Sequence, residues 1–188
     1  MSDISLKHTE EALELFLDDV IKKARANLKK QNKDASGALS NSFKSSYNVG
    51  KNSIEAIITG EQYAAFVDKG VTGLGSSKFT GKKKTVFKSE AGYRFGSGNF
   101  RGKGKEWAKK IDKWMYSRGI APRDEKTGRF IKRDTANYLI RRSIFQHGIK
   151  PTRFFTNAFE EEYSKLPKEI IEAYALDVET FMEFILKE

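Results

Sequence analysis

The stretch Ser53 to Gly73, SIEAIITGEQYAAFVDKGVTG, sets the architecture. Its first seven residues, Ser53 to Thr59, are rich in β-branched isoleucine and read as a strand that Gly60 ends. Glu61 to Gly70 then supplies two or three helical turns, with Tyr63, Phe66 and Val67 on one stripe and Gly70 suited to the left-handed position after the helix. Just upstream, Phe43, Ser45, Tyr47 and Val49 alternate over Phe43 to Val49, and "GKN" separates the two runs, so they pair as a hairpin. Ile54, Ala56 and Ile58 share one face of the second strand and Glu55, Ile57 and Thr59 the other, a composition compatible with cover on both sides.

On either side of this strand and helix the apolar period is helical. Leu13, Phe16, Leu17, Val20, Ile21, Ala24 and Leu28 recur every three or four residues and predict an amphipathic helix from Thr9 to about Gln31. Thr9 is the expected N-cap, Glu10, Glu11 and Glu14 favour the positive end of the dipole, and Lys29 and Lys30 the negative end. Asn32 to Ser36 reads as a loop. Trp107, Ile111, Trp114 and Met115 predict a helix over Lys105 to Arg118. Asp134 or Thr135 is expected to cap the next, which buries Ala136, Leu139, Ile140 and Ile144. Both end alike, in "RGIAPRD" and "HGIKPTR": Gly119 and Gly148 for the left-handed position, Ile120 and Ile149 for the contact beyond, Pro122 and Pro151 to forbid continuation. Between them lies a charged connector with a turn at Gly128. Phe154, Phe155, Ala158 and Phe159 open the C-terminal region, which is interrupted near Pro167. A last amphipathic helix over 166–188 carries Ile170, Ile171, Tyr174, Val178, Phe181, Met182, Ile185 and Leu186. The fold class is therefore α+β: a small antiparallel sheet against an N-terminal helix and further helices, with a C-terminal amphipathic helix.

With 188 residues, a single domain over 1–188 is the default expectation. Residues 71–106 form a basic excursion within it, holding eight of the fifteen glycines, and "TVFKS" and "YRFG" around "EAG" suggest a second small hairpin. The formal charge of +10 belongs to the middle of the chain, because residues 1–20 and 151–188 each carry a net −5. Such a field attracts polyanions or the acidic end of another copy. The absence of cysteine removes disulfides, thiolate nucleophiles and zinc-thiolate sites. No apolar run is long enough to span a bilayer and the N-terminus lacks a signal-peptide pattern, so neither a membrane segment nor classical export is expected.

No catalytic constellation emerges. His8 and His147 are the two histidines, far apart and without metal-ligand spacing. His147 at a helix end is read as a dipole partner. Glu160, Glu161 and Glu162 project from different sides of a helix and suit a solvated or inter-subunit patch better than a metal site. "GSGNFRGKG" from Gly96 matches neither GxxxxGK[ST] nor GxGxxG, and no Gly-x-Ser-x-Gly elbow occurs. The expectation is no enzyme, cofactor or metal. The serious rival signal is Lys82, Lys83, Lys84, Lys88, Arg94, Arg101, Lys103 and Lys105 interleaved with Phe87, Tyr93, Phe95 and Phe100. That mix pairs phosphates with cations and bases with rings, so sequence-independent nucleic-acid binding is the alternative function. A basic loop facing a neighbour's acidic surface is the preferred reading.

Three tracts, in order, are "ASGALSNS" from Ala35, "EQYAAFVDKGVTG" from Glu61 and "KPTRFFTNAF" from Lys150. Together they resemble the neck and tail-completion proteins of tailed bacteriophages, whose patterns run "tG.L..S", "YA.yVe.GT" and "P.pFl..A". The resemblance covers about residues 10–70 and 148–165. It implies a virion structural protein, assembled in the host cytoplasm and located at the neck. Its copies would form a ring, commonly a hexamer, that terminates the tail tube and joins it to the head connector. The implied partners are further copies, a head-closure or connector protein and the tail-tube protein, with DNA passing through the lumen and no membrane contact. Tyr63, Phe66, Asp68, Gly70, Pro151, Phe154 and Phe155 are the scaffold or interface residues of the matching tracts. Tyr63, Phe66, Phe154 and Phe155 are expected first to pack a helix on the sheet. Lys82, Lys83, Lys84, Arg94, Arg101, Lys103 and Lys105 would face DNA or a partner. The stretch from Gly70 to Lys150 is longer and more basic than this pattern leads one to expect.

Overall fold

A computed structural model describes residues 6–33, 36–50, 53–75, 85–95 and 104–187, excepting the side chains of 49, 104, 105 and 184–187. Among the described residues the chain forms helices α1 (Lys7–Lys30), α2 (Ala38–Ser42), α3 (Ala64–Lys69), α4 (Gly104–Ser117), α5 (Arg133–His147), α6 (Phe154–Tyr163) and α7 (Leu166–Lys187), and strands β1 (Lys44–Val49), β2 (Ile54–Thr59), β3 (Val71–Thr72) and β4 (Gly148–Ile149). The protein is α+β, with its long N-terminal helix packed on other helices and on a small antiparallel sheet. It divides into two compact units, Met1–Gln62 with Phe154–Glu188, and Tyr63–Arg153. The second unit is thus an insertion in the sequence of the first.

In the first unit α1 is the spine. Phe16, Leu17, Val20, Ile21, Ala24 and Leu28 are buried, as their spacing demands, and α6, α7 and the β1–β2 hairpin pack on them. Burying a side chain of Leu28's size contributes about 2 kcal/mol. Ser45↔Ile58 and Tyr47↔Ala56 set the hairpin register, and Ile58 rests on the Phe16, Leu17 and Val20 cluster beside Phe155 and Leu166. Cover is one-sided: Ile57, on the opposite face, is exposed. Arg25 ties the hairpin entrance to α1, donating from Nε to the Ser40 carbonyl at 2.8 Å and from Nη2 to the Phe43 carbonyl at 3.2 Å. Phe43 in turn packs on Phe154 and Phe155, with centroids 5.9 and 6.2 Å away.

The ends of α1 differ from expectation at one end only. Asn32, at φ +55°, closes the C-terminus: its N–H reaches the Lys29 carbonyl and that of Lys33 the Leu28 carbonyl, both at 3.0 Å. Thr9, expected to be the N-cap, instead lies inside the helix with its hydroxyl 2.7 Å from Asp177. Likewise α5 starts at Arg133 without side-chain capping by Asp134 or Thr135.

In the second unit, α4 and α5 form a helical pair. Asn137 donates from Nδ2 to the Ala108 carbonyl at 2.8 Å and accepts from Arg141 Nε at 2.7 Å. Arg133 grips Asp112 through Nε–Oδ1 at 2.5 Å and Nη2–Oδ2 at 3.0 Å. As the glycine pattern predicts, α4 ends in a Schellman turn: Gly119 at φ +60°, its N–H on the Tyr116 carbonyl and that of Ile120 on the Met115 carbonyl. The connector folds back at Gly128, φ +67°, bridging Arg123 to Phe130. Asp124 holds this turn by accepting the Thr127 and Lys126 N–H groups and the Thr127 hydroxyl.

The predicted similarity of the two helix ends does not hold. Gly148 has φ +86° and ψ −169°, an extended conformation open only to glycine, and passes directly into β4. Gly70, with φ +73° and ψ +174°, is likewise no left-handed helical cap.

Candidate interaction site

The parts of the two tracts around Gly70 and Pro151 meet in the second unit. Val71 pairs with Ile149 and Thr72 with Gly148. The Thr152 N–H and hydroxyl reach the Val67 carbonyl at 3.2 and 2.7 Å, and the Arg153 N–H reaches the Asp68 carbonyl at 3.0 Å. A Cβ on Gly70 would lie 2.6 Å from the Ile149 carbonyl oxygen and 2.7 Å from Pro151 Cδ, and one on Gly73 or Gly148 would overlap the opposing backbone. These glycines permit backbone contact that no other residue allows. Asp68 is buried, and Arg153, at φ +50°, directs Nε to Glu90 at 3.4 Å.

Of the seven predicted scaffold residues, Asp68, Gly70 and Pro151 therefore gather at this junction, whereas Phe154 and Phe155 belong to the first unit, Phe154 fully buried. Tyr63 and Phe66 depart from the expected packing on the sheet: each is 42% exposed, and Phe66 instead meets Tyr93 edge-on at 4.9 Å. The helix that carries Phe66, and that Tyr63 precedes, has six residues and buries Asp68. Among the predicted partner-facing cations, Arg94 is exposed and its backbone bridges Thr72. Lys82, Lys83, Lys84, Arg101, Lys103 and the Lys105 side chain lie outside the described residues. The second small hairpin is not formed by the described residues around "EAG": Phe95 and Tyr93 bond Thr72, and Phe87 bonds the His147 carbonyl at 2.8 Å.

Two ionic arrangements escaped the sequence reading. Lys23 reaches Glu161 at 2.9 Å and Glu162 at 2.5 Å, and Lys165 adds a second cation to Glu162 at 3.0 Å. The Lys23 hydrogen bond, then that of Lys165, holds the buried Glu162 carboxyl below the usual range, and Lys23 keeps its proton more tightly than a free lysine. Asp177 in α7 is 2% exposed and accepts from the His8 and Thr9 N–H groups, each at 2.9 Å, and from the Thr9 hydroxyl. Burial alone would raise its pKa; the three hydrogen bonds outweigh burial and lower it. A signal existed for it, because Leu166, Ile170, Ala173 and Asp177 share a helical stripe. Ile171, Tyr174 and Met182 of the predicted stripe are exposed.

The histidines do not build a metal site: His147 Nδ1 lies 2.7 Å from the Thr85 carbonyl and His8 contributes its backbone. Among the described residues no His, Asp or Glu group has metal-binding geometry, and no helix is long and apolar enough to cross a membrane. The described residues also line apolar recesses. One, of about 330 Å³, lies in the first unit between α1, β2 and α6, under the stacked rings of Phe155, Phe159 and Tyr163. Another, of about 410 Å³, lies in the second unit between α4, the connector and α5. Compared with models of known families, with curated proteins and with solved structures, the chain finds no match.

Proposed function

We propose that this chain is a virion structural protein of a tailed bacteriophage, forming a ring at the head-proximal end of the tail that terminates the tube and joins it to the head connector. The observation that carries this reading is the junction at Gly70. Tracts separated by some eighty residues, and resembling the neck-protein pattern, are joined there through backbone hydrogen bonds and glycine-only contacts. The α+β arrangement of helix α1 on a hairpin agrees with the same pattern. Negative-stain images of the purified protein should show closed rings, and a variant lacking residues 76–84 should stay folded but fail to join heads to tails. Normal infectious particles from that deletion would refute the role given to the insertion, and a uniformly monomeric native protein would refute the ring.

A second reading is favoured by charge. The unit Tyr63–Arg153 holds 23 Lys and Arg against 7 Asp and Glu, net +16. If sequence-independent nucleic-acid binding is the function, the free protein binds DNA tightly with a steep salt dependence before any assembly.

A further inference from the structure

Charge is divided between the units more sharply than along the sequence: the second unit carries net +16, while Met1–Gln62 with Phe154–Glu188 holds 12 basic residues against 18 acidic, net −6. Each unit presents an apolar feature of matching kind. The recess of the first unit is walled by Leu13, Phe16, Ala56, Ile58, Phe159 and Tyr163. The half of α1 beside it carries Glu10, Glu11, Glu14, Asp18 and Asp19 against Lys7 alone. In the second unit Tyr116 is 78% exposed and Phe130 63% exposed, both at the edge of one recess. Each ring has a guanidinium over it, Arg123 Cζ 4.1 Å from the Phe130 centroid and Arg133 Cζ 5.7 Å from that of Tyr116. Arg133 is already fixed by its two hydrogen bonds to the Asp112 carboxylate. Exposed aromatics flanked by arginine are the residue types that anchor protein interfaces, and two preoriented rings lose little entropy on docking.

We infer that the Tyr116–Phe130 patch of one copy docks in the Phe159–Tyr163 recess of a second copy, whose unit carries the opposite net charge. This rests on the ring reading and gives it a contact. The two surfaces are unlike, so the contact is head to tail: every copy offers one patch and one recess, and repetition closes a ring or extends a filament. Opposite net charge steers the approach and disfavours patch against patch.

The test uses the full chain with Phe130→Glu, which spoils the patch, and Tyr163→Lys, which spoils the recess. Both positions are largely exposed, and circular dichroism with thermal melting checks that each variant folds. Light scattering after gel filtration should give an oligomer for the native chain and the 21.4 kDa monomer for either variant alone. An equimolar mixture of the two should give a dimer and nothing larger, because one intact patch and one intact recess remain. Assembly that survives either substitution overturns this contact and leaves the ring reading standing. So does a mixture that stays monomeric, as a symmetric interface would. Retained assembly with weakened binding of a labelled single-stranded oligonucleotide by Phe130→Glu assigns the patch to nucleic acid and likewise overturns the proposal. A native chain that is monomeric at about 100 µM, far above typical dissociation constants for stable interfaces, sinks both readings.

Discussion

Asp177 places a carboxylate where helical spacing calls for an apolar side chain, and what satisfies it is the N-terminus of another helix. The first N–H groups of α1 have no partner within the helix, and Asp177 accepts two of them together with the Thr9 hydroxyl. Its folded-state pKa lies below the unfolded value, so its contribution is present above about pH 4 and is lost as pH falls through the folded value. Asp177→Asn should cost about 2 kcal/mol at pH 7 and flatten the decline in stability between about pH 5 and pH 3. Urea unfolding across that range is the measurement, and an unchanged midpoint at neutral pH would show that the carboxylate does not cap α1. Gly70 makes the opposite kind of demand, for the absence of a side chain. Gly70→Ala should cost about 3 kcal/mol, through its positive φ and contact with Ile149 and Pro151, and should speed amide exchange at Thr152 and Arg153. Gly92→Ala has a similar φ but open space around it and should cost only about 1 kcal/mol.

Helices α1 and α4 and the β1–β2 hairpin are legible because their apolar period is long enough to declare itself; α5 is legible as a helix, but Leu139 of its expected buried stripe is exposed while Asn137 and Gln146 are buried beside Ala136. The closing turns at Asn32 and Gly119 are equally local, since six consecutive residues contain every atom that bonds. Strands β3 and β4 have two residues each, too few for any period, and exist because glycines let two backbones meet. Helix α7 is legible as a helix but not in its orientation: Ala173 and Asp177 face inward while Ile171, Tyr174 and Met182 remain exposed. Along α6, Phe154 is fully buried and Phe159 only partly so. Phe154→Ala should therefore cost about 4 kcal/mol and Phe159→Ala clearly less, by urea denaturation. The reverse order would contradict the packing described. Removal of Lys23 should have a visible effect for a similar reason, since the Lys23–Glu162 contact joins α1 to α6 and Glu162 is buried. Lys23→Met should lower the melting temperature by a few degrees, with most of the loss at neutral pH where Glu162 is charged.

Within the whole molecule the insertion and the charge coincide, for the basic residues that the linear sequence places in its middle occupy one compact unit. Association of copies should weaken when salt rises from ~0.05 M to ~0.5 M, because the Debye length falls from over 10 Å to about 4 Å. Light scattering checks this, and a salt-insensitive oligomer would leave apolar contact as the sole attraction. Composition and period were sufficient for the α+β class, the long first helix, the hairpin and the basic centre, since each depends on residues near one another in the chain. Burial of Asp177 by Thr9, exposure of Tyr63 and Phe66, and the meeting of Gly70 with Pro151 depend on contacts between distant residues, 168 positions apart for Thr9 and Asp177. A local pattern holds no record of which distant backbone will supply a donor or occupy a space, so those features emerged only when the chain was folded.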